Sequence, residues 1–145
     1  MSDRTDKLAR EARRDALLQA YRATRVVVAL PEGDIVLAAA DEPAAPLPAA
    51  LRPRAWILTA WNPWSQEATP AENERRSHAL QAELRALPVS FWPALGRARN
   101  GEWEERSFAV VGLTAAAALA LGRRFEQNAI FEVTEDGLRV RCCLE

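Results

Sequence analysis

The chain has 145 residues, of which 49% are hydrophobic and 27% charged. These are ordinary values for one globular domain, and a chain of this length can bury enough surface to fold without a disulfide or a metal ion. Its formal net charge of -1 lacks the basic surplus that is typical of proteins that bind nucleic acids or anionic membranes, so neither is an expected partner.

The N-terminal segment and the cysteines bear on where the protein is located and on whether it contains a disulfide or a metal site. The segment from Met1 to Lys7 is polar and has no apolar region of the kind found in signal peptides, and no apolar run approaches the ~20 residues of a membrane span. Cys142 and Cys143 are adjacent, which disfavours a disulfide, and they lack the spacing of a zinc site. We therefore expect a soluble cytoplasmic protein with no cofactor and no metal, whose two cysteines alternate on a C-terminal strand.

The first third of the chain predicts a helix and a hairpin. Residues 5–22 form a helical pattern whose apolar stripe contains Leu17, Leu18 and Tyr21. Two β-rich runs, 26–30 and 35–39, flank a Pro/Gly loop and indicate a hairpin. The proline-rich and alanine-rich residues 41–53 are typical of a surface connection.

The middle of the chain predicts a buried strand followed by a capped helix. Residues 55–60 are apolar without alternation, which is typical of a strand covered on both faces. Thr69 and Glu72 have the spacing of a capping box, and Pro70 stands at the favoured first position, so we predict a helix over residues 70–86.

The remaining elements complete the fold prediction. We expect a short strand at 89–92, a loop at 96–101 that carries Arg97, Arg99 and Asn100, and a strand at 107–113. An alanine-rich helix at 114–125, able to pack closely on a sheet, precedes a second hairpin at 129–133 and 138–143. The pattern indicates a single α+β (mixed α/β) domain over 1–145. In it, about three helices cover, in two layers, a mixed sheet of five or six strands that includes the two hairpins.

A polar corner joins the buried strand to the capped helix. The stripe of Leu80, Leu84 and Leu87 extends backwards to Asn73, which would then face the core, and an unpaired buried amide costs roughly 1–3 kcal/mol. Its expected partners lie in Asn62-Pro63-Trp64-Ser65. Asn73 could simply tie down this loop, or Asn62, Ser65 and Asn73 could bind an anion at the helix N-terminus. Trp61 and Trp64 could fill the core or form an apolar wall for a planar ligand.

Two further polar groups stand at element ends. Glu105 and Ser107 point to the same face of a strand, where Glu105 is either a solvated strand end or the rim of a pocket. Gln127 and Asn128 either cap the preceding helix or reach towards the same pocket. His78, the only histidine, shares a polar helix face with Glu74, Gln81 and Arg85. A catalytic triad or a histidine metal site is therefore not expected, and Glu105 would be the acid or base of any catalysis.

These residues resemble a known family. The motifs are Thr59-Ala60-Trp61-Asn62-Pro63-x-Ser65, Glu72-Asn73, Glu105-x-Ser107-Phe108 and Phe125-x-Gln127-Asn128-Ala129-Ile130. Their order and spacing are similar to the bacterial family named domain of unknown function 3293, over a core from about residue 21 to 143 that follows an N-terminal helix at about 1–20. The resemblance implies positions and no reaction. One departure is Glu126, where the family pattern leads us to expect a small residue such as glycine.

Two hypotheses about function follow. In the first, the chain binds a small polar or anionic ligand in a cleft at the corner formed by residues 59–73. The eight candidate ligand-binding residues are Thr59, Asn62, Ser65, Asn73, Glu105, Ser107, Gln127 and Asn128. In the alternative, the same residues are purely structural, and the arginine-rich first helix or the loop with Arg97 and Arg99 contacts a protein or nucleic acid. The two differ in whether the polar side chains line an open cleft or satisfy one another inside the fold.

Overall fold

The computed structural model describes residues 3–38, 46–98 and 104–143, with backbone only for residues 17, 18 and 20–22. The predicted stripe of Leu17, Leu18 and Tyr21, and the loop residues Arg99 and Asn100, therefore lie outside the described side chains. The described part contains three helices, α1 (Asp3–Arg22), α2 (Pro70–Arg85) and α3 (Ala115–Arg124). It also contains seven strands: β1 (Thr24–Leu30), β2 (Gly33–Leu37), β3 (Ala55–Thr59), β4 (Ser90–Ala98), β5 (Glu104–Val111), β6 (Ala129–Thr134) and β7 (Gly137–Cys142).

The strands form one sheet in the order β2-β1-β4-β5-β3-β6-β7. The α+β class, the three helices and both hairpins are confirmed, but the prediction of a mixed sheet with five or six strands is wrong. All neighbouring strands are antiparallel, because the helical connections join strands that are not neighbours. The connection from β3 through α2 leads to β4, for example, whereas β3 pairs with β5 and β6.

Strand β4 is the element that the sequence analysis underestimated. The expected short strand at 89–92 and the start of the expected loop, residues 96–98, belong instead to one strand, Ser90–Ala98, between β1 and β5. The rest of that loop, residues 99–101, lies outside the described residues. Pro93 and Gly96 lie inside it, and both residue types usually indicate a strand end. Pro93 has no backbone N–H to donate. The sheet accommodates it because the pairing between β1 and β4 ends at Val28 and Ala94, next to Pro93, and does not include the proline.

The sheet is strongly curled. Buried residues from all seven strands share one apolar cluster on its concave face, although a flat sheet of seven strands would hold its edges about 29 Å apart. Leu138 N donates to Ala38 O at 2.9 Å, which joins the two edges at one point. Leu47 and Leu51 are also buried in this cluster, so the segment predicted as a surface connection contributes to the core.

The convex face of the sheet is covered by α2 and α3. Leu80 and Leu84 of α2 pack with strand residues such as Trp56 and Phe108 in a second apolar cluster. Asn73 continues the same buried stripe, as predicted, and Ser77 lies on it too. Leu87 does not, and its side chain is 39% exposed because the helix ends at Arg85. Thr69 caps α2 by accepting a hydrogen bond from Glu72 N at 3.1 Å.

Helix α3 approaches the sheet closely through a residue without a side chain. A Cβ atom at Gly122 would lie 2.6 Å from Cys143 Sγ and 2.9 Å from Ile130 Cγ2. Cys143 is buried against this helix, and burial raises the pKa of its thiol to about 11, so it is an inert packing residue. Cys142 is half-buried, and both cysteines are free. The close packing expected of a helix rich in small residues is present here.

Replacing Gly122 by alanine is expected to lower the free energy of unfolding by about 1–3 kcal/mol, because the new methyl group overlaps a tightly packed sheet. Chemical denaturation of both proteins measures the difference. Alanine is the better helix former, so exposed Ala116→Gly is a matched control that reports helix propensity alone, a cost of about 1 kcal/mol. A Gly122→Ala variant as stable as the parent would contradict the close approach.

Candidate functional site

The predicted corner contains a pair of asparagines that bind each other. Asn62 N donates to Asn73 Oδ1 at 2.9 Å, and Asn73 Nδ2 donates to Asn62 Oδ1 at 3.0 Å. Asn62 Oδ1 also accepts from Ala68 N at 3.0 Å. Both side chains are buried, and these hydrogen bonds hold the loop after β3 against the first turn of α2. The expectation that Asn73 faces the core and finds its partners in this loop is confirmed.

Glu105 extends this pair into the fold. Asn62 Nδ2 donates to Glu105 Oε2 at 3.0 Å, and Glu105 is only 8% exposed although it stands at the start of a strand. Burial, partly offset by the hydrogen bond from Asn62, raises the pKa of this carboxyl from 4.5 to about 7. Glu105 is therefore a buried carboxyl that titrates near neutral pH, and it is not a solvated strand end.

Arg76 is a member of this corner that the sequence analysis did not select. Its Nε donates to Ala60 O at 2.7 Å, and its Nη2 donates to Phe125 O at 2.6 Å, so it ties the end of β3 to the end of α3. Gln127 Nε2 makes similar links to Trp61 O at 3.0 Å and Phe125 O at 3.1 Å. The sequence feature that could have identified Arg76 is its position, because it lies one turn after the capped start of α2 and beside the buried stripe.

The loop after β3 has an unusual backbone. Asn62, Trp64 and Ser65 all have positive φ angles, of 48°, 57° and 61°, although none is glycine. Each such residue costs of order 1 kcal/mol or more, so the surrounding hydrogen bonds must hold the loop in place. One of them is Trp64 N to Glu126 O at 2.7 Å. The loop is thus fixed in a strained shape that directs the Trp64 side chain outwards, where it is 42% exposed.

The eight candidate residues divide into three groups. Asn62 and Asn73 hold the loop after β3 in place. Ser65 and Asn128 form a solvent-exposed pair, in which Asn128 Nδ2 donates to Ser65 Oγ at 2.9 Å. The other four line one small cavity: Thr59, Glu105, Ser107 and Gln127. The structure therefore brings most of the predicted residues together, but largely as groups that satisfy one another. Their assignment as a ligand site stays a prediction.

The small cavity, hereafter the chamber, lies on the concave face near the ends of β3 and β4 and the starts of β5 and β6. Its volume is about 30 Å³, room for one or two water-sized species. Thr59 Oγ1 donates to Arg106 O at 2.7 Å and accepts from Trp61 N at 3.1 Å, and Ser107 Oγ donates to Glu105 O at 3.3 Å. Gly96 leaves part of the wall open, since a Cβ there would meet Ser107 Oγ only at 4.0 Å.

A larger depression, hereafter the groove, lies on the convex face between α2 and the sheet and has a volume of about 470 Å³. Its apolar floor comes from strands, with Val27, Ala29, Pro93, Leu95 and Phe108. Its polar wall comes from α2, with Glu74, Ser77, His78 and Gln81. The groove exists because α2 and α3 cover the middle of the sheet and leave part of β1 and β4 exposed, a tertiary feature with no local sequence signal.

Charged residues stand around the groove in pairs. Arg106 Nε lies 3.6 Å from Glu74 Oε1, which links β5 to α2, and Arg97 Nη2 lies 3.6 Å from Glu104 Oε1. His78 is exposed, as predicted, and lines the groove. Within residues 3–38, 46–98 and 104–143, no group of three or more histidine, cysteine or acidic side chains could hold a metal ion. The described helices include none that is long and apolar enough to cross a membrane.

Comparison with known protein families shows to which family the chain belongs. The model of the family described as "Protein of unknown function (DUF3293)" matches residues 58–130, half of the sequence. The chain belongs to this family. The matched range is narrower than the resemblance over residues 21–143, but it contains all eight candidate residues and excludes β1 and β2. No curated protein and no solved structure matches the chain.

The backbone at position 126 explains why a small residue was expected there. Glu126 N donates to Arg123 O at 3.0 Å and Gln127 N donates to Gly122 O at 2.9 Å, the two hydrogen bonds of a Schellman motif that ends α3. Glu126 has φ 60°, the left-handed conformation that favours glycine at this position. Gln127 therefore caps the helix with its backbone and reaches the chamber with its side chain, so both alternatives considered for it are realised.

Replacing Glu126 by glycine is expected to raise the free energy of unfolding by about 0.5–1 kcal/mol, because the left-handed backbone no longer carries a Cβ. The loss of the half-exposed contact between Glu126 and Arg76, 3.5 Å apart, offsets little of this gain. Glu126→Ala removes the same contact and keeps the Cβ, so it should be no more stable than the parent. Equal stability of the glycine and alanine variants would contradict a conformational origin.

Proposed function

We propose that this chain is a small-molecule binding domain whose ligand occupies the groove between α2 and strands β1, β4 and β5. The observation that carries the proposal is the groove itself, because its volume of about 470 Å³ lies within the range of ligand sites, roughly 300–1,000 Å³. In the corner at residues 59–73, by contrast, the polar groups of Asn62, Asn73 and Glu105 form hydrogen bonds with one another.

The chemistry of the groove favours an amphipathic ligand. Phe108, Leu95 and Val27 offer apolar surface on the sheet side, while Ser77, His78 and Gln81 offer hydrogen-bonding groups on the helix side. A mostly apolar site with a few convergent polar groups is typical of sites that bind small organic molecules. A ligand with an aromatic or aliphatic body and polar groups along one edge would satisfy both sides.

The charges around the groove favour a ligand that is neutral or carries one anionic group. Arg106 is already paired with Glu74, and Arg97 with Glu104, but both separations are 3.6 Å and the side chains are at least 40% exposed. Such exposed pairs contribute about 0–1 kcal/mol, so a carboxylate of the ligand could replace one of the glutamates at little cost. Aromatic and aliphatic carboxylates are therefore the first compounds to test.

A fragment screen by NMR tests the proposal with two matched variants. Ala29→Trp puts a large side chain on the groove floor at an exposed strand position, so it should weaken binding of any groove ligand at least tenfold. Val36→Trp is the control, because Val36 is 60% exposed and lies on the same face of the sheet but outside the groove lining.

The expected result is a set of amphipathic fragments that shift the backbone resonances of α2, β4 and β5 in the parent and in Val36→Trp, but not in Ala29→Trp. If no fragment distinguishes Ala29→Trp from Val36→Trp, the groove is not a ligand site. Fragments that shift only the resonances of residues 59–73 would indicate that the ligand binds at the corner that the sequence analysis selected, and not in the groove.

Trp64 favours a second candidate function, contact with another protein. Its ring is 42% exposed and is held outwards by a strained loop, and exposed tryptophans are enriched in protein interfaces. Self-association is the version that can be tested without knowing a partner. Sedimentation that depends on concentration in the parent and is lost in Trp64→Ser would support it, and a monomer at all concentrations in both proteins would count against it.

A further inference from the structure

We propose that the chamber on the concave face is a binding site for one small monovalent cation, with the Glu105 carboxylate as its anionic ligand. The inference is independent of the groove, because the chamber lies on the opposite face of the sheet. Strand β5 lies between the two: Glu105 lines the chamber, Arg106 lines the groove, and Ser107 borders both.

The size of the chamber limits its occupant. A volume of about 30 Å³ holds one or two water-sized species and excludes organic ligands. Sodium, potassium and ammonium ions have the dimensions of a water molecule, so each fits this space. A nucleotide, a sugar or an amino acid does not.

The charge of the chamber selects a cation over an anion. Glu105 is the one ionisable residue among the described residues that line it, and its neighbours there include Ser107, Gln127 and Thr59. The carboxylate accepts a hydrogen bond from Asn62 Nδ2, and no cationic side chain among the described residues forms an ion pair or a hydrogen bond with it. A buried anion without a counter-charge is unfavourable, and it is relieved either by a proton or by a bound cation.

The oxygen atoms of the lining suit a hard cation of charge +1. Hydroxyl groups of Ser107 and Thr59 and the side-chain carbonyl of Gln127, whose amide nitrogen is used by Trp61 O and Phe125 O, supply neutral oxygens beside the one carboxylate. Sites for divalent ions usually contain several carboxylates, whereas the described residues that line this chamber include one. One negative charge matches one monovalent ion.

Thermal unfolding in different chloride salts tests the site. At pH 8.5 and constant ionic strength, potassium, sodium or ammonium chloride should raise Tm by about 3 °C or more relative to choline chloride, because choline is too large for the chamber. At pH 5.5 the proton occupies the carboxylate, so the difference between the salts should disappear.

Two variants separate the chamber from general salt effects. Glu105→Gln keeps an acceptor for Asn62 but removes the charge, and Gly96→Ala keeps the charge but places a methyl group in the chamber wall, at ordinary contact distances of 3.8–4.0 Å from its neighbours. Both should lose the difference between potassium and choline. Glu104→Gln, an exposed neighbour on the other face, should keep it.

The outcomes are distinct. Equal Tm values of the parent in choline and in all three small cations at pH 8.5 would overturn the proposal, and so would a cation effect that persists in Glu105→Gln. A crystal grown in thallium or rubidium salt gives a direct measurement, since an anomalous peak beside Glu105 supports the site and a featureless chamber at pH 8.5 refutes it.

Discussion

Replacing Asn73 by alanine is expected to lower the free energy of unfolding by about 2–4 kcal/mol, among the largest effects of any single change in this chain. The substitution leaves Asn62 N–H without its acceptor and removes one donor from Asn62 Oδ1, both in a buried setting. Each buried polar group left unsatisfied costs roughly 1–3 kcal/mol, and the strained loop loses part of what holds it.

Urea denaturation of the parent, Asn73→Ala and Arg75→Ala measures this cost. Arg75 is an exposed residue of the same helix turn whose ion partner is Glu72, so Arg75→Ala should change the free energy of unfolding by less than about 0.5 kcal/mol. A loss in Asn73→Ala no greater than that in Arg75→Ala would mean that the asparagine pair does not hold the loop.

Replacing Glu105 by glutamine is expected to change how stability depends on pH. The pKa of Glu105 is about 7 in the folded chain and 4.5 as the ordinary value, so the folded state binds the proton more tightly than the unfolded state. Stability from this residue is therefore fully present below pH 4.5 and is lost as the pH rises through 7. The full loss is about 3 kcal/mol, an upper value that Glu105→Gln should abolish.

The measurement is the free energy of unfolding from pH 4.5 to 8.5 in choline chloride, in which no small cation other than the proton competes for the chamber. Glutamine keeps an oxygen to accept from Asn62 Nδ2, so the variant should fold and be the more stable protein at pH 8. Exposed Glu104→Gln should follow the parent. Parallel pH profiles for the parent and Glu105→Gln would show that the carboxyl is not desolvated.

Local patterns determined much of the fold. The capped start of α2, the buried strand β3 and both hairpins follow from short signals that act within a few residues: a capping threonine, an apolar run and turn residues between β-rich segments. The same patterns did not predict the full length of strand β4. The sheet accommodates Pro93 at the end of a ladder and Gly96 beside a cavity, and both depend on neighbouring strands that are distant in the sequence.

The candidate site shows the same division. The periodicity of α2 placed Asn73 in the core, and the alternation of β5 placed Glu105 and Ser107 on one buried face, so the polar residues themselves could be selected from the sequence. The contacts of Arg76 could not be inferred, because its partners Ala60 O and Phe125 O come from distant segments. Whether the selected residues form a cleft depends on how those segments meet.

The sequence by itself determined the family, the α+β class, the helices and hairpins, and the burial of Asn73, because each depends on residue type and spacing along the chain. Only the tertiary structure decided that Asn62, Asn73 and Glu105 satisfy one another, that the sheet curls around the chamber, and that the groove opens beside α2. The physical reason is that cavities and hydrogen-bond partners depend on distances between segments far apart in the chain, which the spacing of residues within one segment does not fix.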